Sequence, residues 1–230
     1  MNLPFWVRRT HKWIGLIVGV QALLWMISGV YMTAISLDVI HGDHLVHVSN
    51  EPLLQSAGRM DMAKLRTLYP DIQSLRLKRL LGQDVFQIQR AGQTSLVNAQ
   101  TGELLSPLPR EAIIALAKQV YQGTARIQDV TLVTEAPKEV AKRPVPMWAV
   151  QFDEFAETTL YFSPNTGELL ARRHTLWRWF DFLWMLHIMD YDKRTDVNNT
   201  LLRMAAGTGL LFALSGAWLV FYSFRRRTEA

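Results

Sequence analysis

Residues 13–37, WIGLIVGVQALLWMISGVYMTAISL, run for 25 positions without a single charge. As a helix rising ~1.5 Å per residue, the run reaches roughly 37 Å, more than the ~30 Å hydrocarbon core of a bilayer. Arg8, Arg9 and Lys12 stand before it and Asp38 closes it. A second run, residues 204–224, has 21 uncharged positions between Arg203 and the triplet Arg225-Arg226-Arg227. Two such runs predict a membrane protein with transmembrane helices over 13–37 and 200–224, and they place everything between.

Two spans put both termini on one side. Cations flank both outer ends, so the positive-inside bias predicts a cytoplasmic lead over 1–12, a cytoplasmic tail over 225–230 and an exported segment over 38–202. The first run is too long for the apolar part of a secretory signal, and MTAISLDVIHG offers no small-residue cleavage site, so a retained anchor is expected. The net charge of +5 does not point to nucleic acid. Residues 38–202 carry 18 Lys and Arg against 19 Asp and Glu, so the excess sits in the flanks of the spans, where it sets topology and attracts anionic lipid. The absence of cysteine excludes disulfides, thiolate metal sites, iron–sulfur ligation and CxxCH-attached haem.

The exported segment contains an internal repeat. VNAQTGELL at 97–105 and FSPNTGELL at 162–170 lie 65 residues apart, and both pass from a strand-like stretch through a polar Thr-Gly turn. A helical pattern precedes each set of strands, at 60–69 and at 110–121. Alternating stretches follow at 74–80, 84–90 and 94–98, and again at 126–134, 147–152 and 158–162. Two tandem α-β-β-β units are therefore expected, over 50–105 and 106–173, after a connector at 38–49. Residues 135–146, rich in Pro and Lys, read as a loop. No nucleophile elbow, P-loop or HExxH motif occurs in the segment.

Several polar residues stand where chemistry is possible. His41, His44 and His47 recur every third position; on a helix they fall roughly on one side and suit Zn or Cu, whereas on a strand His44 points away from the other two. Residues 174–199 begin with an apolar, tryptophan-rich stretch containing Arg178 and Asp181, a pair three apart that can meet on one helix face. That stretch is too short and too charged for a span, and predicts a helix at the outer membrane interface with Trp177, Trp179 and Trp184 at headgroup level. Gly15, Gly19 and Ser28-Gly29 are small residues at near-four spacing in the first span, which permits close helix contact.

Arg8-x-x-His11 entering a glycine-spaced span, two Thr-Gly-Glu turns, Trp177-x-x-x-Asp181, and Leu186-His187 ahead of the last span together resemble the PepSY-associated transmembrane family. The resemblance covers nearly the whole chain and implies that the tandem units are PepSY-like. Some members are similar to ferric-siderophore and other membrane reductases, in which histidines on transmembrane helices hold b-type haem. The resemblance thus implies His11 and His187 as haem ligands, in a bacterial inner-membrane protein whose residues 38–202 are periplasmic. Neutral imidazole is an ordinary axial ligand of haem iron.

The chain departs from the reductase-like members in having two spans rather than four or more. His11 and His187 are expected about a membrane thickness apart, so they cannot share one iron, and a second chain, homo-oligomeric or another redox subunit, would complete each ligand set. Two functions follow. One is an electron-transfer or accessory reductase subunit; with no flavin or nicotinamide fingerprint, its donor is another protein or a quinone. The other is a non-catalytic membrane-anchored PepSY module that inhibits, docks or assembles a periplasmic partner.

Overall fold

The computed structural model describes residues 3–47, 52–53 and 58–227. The order is helix α1 (Leu3–Ala34), helix α2 (Leu37–His41), a 3-10 turn (Asp43–Leu45), helix α3 (Met62–Leu68), strands β1 (Ser74–Leu80), β2 (Gln83–Arg90) and β3 (Gln93–Asn98), and helix α4 (Arg110–Val120). Strands β4 (Ile127–Val133), β5 (Met147–Phe152), β6 (Thr159–Phe162) and β7 (Leu169–Arg173) follow, then helices α5 (Thr175–Ile188) and α6 (Thr200–Arg227). The chain divides into two compact units, one of residues 1–37 and 179–230, the other of residues 38–178.

In the first unit, α1 and α6 are long and apolar enough to cross a membrane, over Phe5–Ala34 and Thr200–Phe224. Helix α1 differs from the expected 13–37 in beginning inside the supposed lead. Arg8, Arg9 and Lys12 are good helix formers, and Pro4 is tolerated in a first turn, so nothing over residues 4–12 breaks the helix. Gly15 leaves room for the Phe212 ring, since a Cβ there would lie 2.9 Å from it, whereas Gly19 and Gly29 face open space. Only one of the three glycines therefore serves helix contact. The start of α6 is capped by Asn199, whose Oδ1 accepts the Leu202 N–H at 2.8 Å.

The loop between α5 and α6 is wound about Asp190. Its carboxylate accepts backbone N–H groups from Asp192, Lys193, Thr195 and Asp196. Those donors, Asp196 and Thr195 foremost, hold its pKa down to about 2.

The second unit contains two antiparallel sheets, β1-β2-β3 and β4-β5-β6-β7. The first sheet is joined by two-residue turns, Leu81-Gly82 and Ala91-Gly92, in which all four residues have positive φ. That is the hairpin geometry whose twist matches the strands. Both faces of β2 are covered. Phe86 and Ile88 pack with Leu65 of α3, while Val85 joins Leu96, Ile113, Leu116, Phe152 and Phe162 in the larger core. Strand β6 is likewise buried throughout, with Leu160 and Phe162 in the larger core and Tyr161 beside Val140, Met147 and Ala171.

The two Thr-Gly turns are built alike. In the first, Asn98 N–H donates to the Glu103 carbonyl at 2.8 Å and Gly102 N–H to the Asn98 carbonyl at 3.0 Å. In the second, Ser163 and Gly167 make the equivalent bonds, to the Glu168 and Ser163 carbonyls, at 2.9 and 2.8 Å. Asn98 Oδ1 and Ser163 Oγ each accept two further N–H groups from the turn. Beyond the turns the halves differ from the expected α-β-β-β order: the second sheet has a fourth strand, β7, where the first has only a bridge between Val97 and Leu104. Ser106-Pro107 and Pro109 follow that bridge, and proline has no N–H to extend it.

Of the expected boundaries, the join at 49–50 and residues 1–2 and 228–230 lie outside the described residues.

Candidate histidine sites

His11 sits on the face of α1 that meets α6. Its ring stacks on Phe212 with centroids 4.1 Å apart, and its Nδ1 lies 2.7 Å from Ser215 Oγ. Gly216 makes the room, because a Cβ there would come within 3.1 Å of His11 Cε1. The imidazole borders an apolar cleft of about 370 Å³ lined by Trp6, Val7, Ile14, Leu211 and Phe212, with Thr10 and Thr208.

His187 lies near the end of α5 and meets α1 well inside its apolar run. Its Nδ1 is 2.7 Å from Ser28 Oγ, and its carbonyl accepts the Trp25 indole N–H at 2.8 Å. One residue earlier, the Leu186 carbonyl accepts from Gln21 Nε2 at 3.4 Å. Ser28 is fully buried although its neighbours along α1 are largely exposed. Trp184 stacks on His187 and Phe180 on Trp184, so an aromatic row runs along α5 to the imidazole.

The two sites share one logic. A serine hydroxyl has a single proton. That of Ser28 is engaged by the Leu24 carbonyl at 2.7 Å, and that of Ser215 by the Phe212 carbonyl at 2.8 Å. With that proton so engaged, each serine oxygen is placed to accept from Nδ1–H of its histidine, and a neutral ring bound in that sense keeps Nε2 as a lone pair. Among the described residues neither Nε2 has a hydrogen-bond partner. An imidazole held through Nδ1 and open at Nε2 is the form in which histidine binds a metal.

Seventeen positions of α1 separate His11 from Ser28, about 26 Å at ~1.5 Å per residue. The two imidazoles thus meet α1 at separate levels.

His41, His44 and His47 are not brought together on one helix or one strand. His41 ends α2, Gly42 turns the chain with φ of 72°, His44 lies in the 3-10 turn, and His47 follows the Val46 bridge to Tyr121. Among the described residues no three His, Cys, Asp or Glu side chains converge as a metal site requires. Arg178 and Asp181 do not pair with each other. Arg178 reaches Glu139 at 2.9 Å, and Asp181 is bound by Arg194, because tertiary carboxylates and cations outcompete a surface pair.

Sequence reasoning passed over His174, which is buried and places Nε2 3.1 Å from the Ile40 carbonyl, with the His44 ring 6.2 Å away. Burial pushes its pKa down, against the pull of that carbonyl. Glu139 binds Tyr161 and Arg178, and burial together with the Glu139 contact pushes the Tyr161 hydroxyl up. The serine partners were also missed. Their signal was a hydroxyl inside an otherwise apolar run, a costly group unless something bonds to it.

The chain matches no curated protein and no solved structure. The model of the PepSY-associated TM region matches residues 8–230, and the chain belongs to that family.

Proposed function

We propose that the chain is an electron-transfer or accessory reductase subunit of a bacterial inner membrane, with b-type haem held by His11 and His187. Both termini are cytoplasmic, residues 38–202 are periplasmic, and α5 enters the bilayer from the outer interface. The observation that carries this reading is the pair of serine-tethered imidazoles, each 2.7 Å from its serine through Nδ1 and with no hydrogen-bond partner on Nε2 among the described residues. The donor chemistry fits the group: neutral imidazole, an apolar cleft beside His11, and a glycine whose missing Cβ admits the ring. Bound haem supplies one-electron transfer; the chain's residues set ligand orientation and keep water away.

Each level supplies one imidazole, so a second chain, another copy or a redox partner, would complete the set of residues that holds each haem. The two helix-and-sheet units then act as tandem PepSY-like modules that dock the periplasmic acceptor.

The test is the haem-to-chain ratio of protein expressed with haem supplementation and purified in mild detergent. In a homodimer where the same histidine of both chains would hold each haem, about one haem per chain is expected, falling to about half in His11→Ala and in His187→Ala. A ratio unchanged in both variants contradicts the assignment. A second reading, a non-catalytic module that binds a periplasmic partner, is favoured by a groove of about 560 Å³ lined by His47, Arg76, Lys78, Leu80, Leu116 and Phe162. Haem-free protein from every preparation supports that reading instead.

A further inference from the structure

A second groove in the β-rich unit has a different chemistry. It measures about 450 Å³ and is lined by His41, Arg143, Arg172, Arg173 and Trp177 over Ala171. Three guanidinium groups in one small groove repel one another unless an anion is present. Two carboxylates of this unit, Asp43 and Glu139, are already engaged. Asp43 holds Arg172 at 2.7 Å, and the Glu139 carboxylate is shared by Arg178 and Tyr161. Arg173 is fixed by the Glu139 carbonyl at 2.7 Å and by the Trp177 ring, 3.8 Å beneath its guanidinium carbon. Arg143 is exposed and has no side-chain partner among the described residues. The groove thus combines a preorganised cation, a partly neutralised one and an available one.

We propose that this groove binds the phosphate of an anionic phospholipid from the bilayer that anchors the chain. Guanidinium forks match phosphate oxygens in pairs, which sets the chemistry of the ligand. The covalent connections set its source. His41 follows the end of α1 by seven residues, and seven residues span at most ~25 Å however the units turn. Arg173 precedes α5 by two residues. Short stretches of chain therefore connect both edges of the groove to apolar helices. Trp177, with an apolar ring and a polar N–H, suits the headgroup level. This inference does not depend on haem.

The test uses the full chain in neutral detergent, with lipid adducts counted by native mass spectrometry after addition of phosphatidylglycerol or phosphatidylcholine. Wild type retains phosphatidylglycerol in preference to phosphatidylcholine. Arg143→Gln lowers that preference about fivefold, and Arg143→Gln/Arg172→Gln lowers it further, since each surface arginine contributes about that factor. Asp43→Asn, which removes the competing carboxylate, raises it. Arg143→Gln alone breaks no contact of the fold, so its result stands even if the double variant unfolds. Unchanged phosphatidylglycerol retention in Arg143→Gln overturns the proposal. Displacement of the lipid by millimolar inorganic phosphate also overturns it, because the site would then belong to a soluble anion. Haem content has no bearing on either outcome.

Discussion

The two units of this chain bury opposite things. In the β-rich unit most of the buried side chains are apolar, with Val85, Leu96, Ile113, Leu160 and Phe162 almost free of solvent beside a few bonded polar groups such as Asp84 and His174. In the span-bearing unit the apolar side chains are outside, among them Leu16, Ile17, Leu210, Leu214 and Phe221, while Ser28 is fully buried. Water is the solvent that the β-rich unit hides from; lipid is the solvent of the span-bearing unit. In lipid an apolar side chain gains little by burial, so helix contact is left to close packing and to hydrogen bonds such as His11–Ser215 and His187–Ser28. Hydroxyl–imidazole bonds thus help to register the membrane helices and present the two imidazoles.

The strongest way to break this contrast is to make the same kind of truncation in both units. Phe162→Ala should destabilise the β-rich unit by about 3–5 kcal/mol, read as loss of amide protection in β5 and β6 by hydrogen exchange. Leu210→Ala, at an exposed position of α6, should leave detergent-resistant stability nearly unchanged. Comparable losses in the two variants would show that the apolar surface of α6 is covered by protein, not lipid.

Next in size is the turn chemistry. Gly167 has φ of 66°, and a Cβ there would meet Leu108 and Leu116 at 3.0 and 3.1 Å. Gly92 has φ of 78° but open space around it. Gly92→Ala should cost about 1–2 kcal/mol for the left-handed backbone alone, and Gly167→Ala should cost more. Equal thermal shifts in the two variants would remove the claim that the second Thr-Gly turn is packed into the core.

A smaller effect is expected at the serines. Ser28→Ala leaves His187 Nδ1 without its hydroxyl partner and should cost about 1 kcal/mol in urea or detergent unfolding. Thr33→Ala, which loses bonds only to the carbonyls of its own helix, should cost much less. If the two cost the same, the His187–Ser28 bond contributes nothing to the helix contact.

The smallest effect is a pH dependence. The folded-state pKa of His174 lies below its ordinary 6.5 because burial disfavours the cation. Folding therefore leaves the ring neutral, and the stability present above pH 6.5 is lost as pH falls through the folded pKa. Melting of the β-rich unit should fall between pH 7 and pH 5 more steeply in wild type than in His174→Asn. Parallel curves would show that other groups set the acid sensitivity.

Much of the molecule is readable from local pattern. The uncharged runs mark α1 and α6, and two Thr-Gly turns in one frame mark the ends of β3 and β6. What escapes is whatever depends on distant partners. Strand β7, LLARR, has no clean alternation, and its counterpart in the first half is reduced to a bridge, so the repeat did not announce it. His41, His44 and His47 look like a cluster only until Gly42 turns the chain between them. His11 and His187 were visible as candidates, but Ser28 and Ser215 were not, because serine in a span reads first as a small residue. Their roles arise from contacts across 159 and 204 positions of sequence, which no local window contains.

The central claim is that the two tethered imidazoles hold haem, and the dithionite-reduced minus oxidised absorption spectrum tests it most directly. The protein, expressed with haem supplementation and purified in mild detergent, should show a sharp b-type α-band. That band should weaken in His11→Ala and in His187→Ala and vanish in the double variant. A flat wild-type spectrum, or a band that survives the double substitution, would contradict the account.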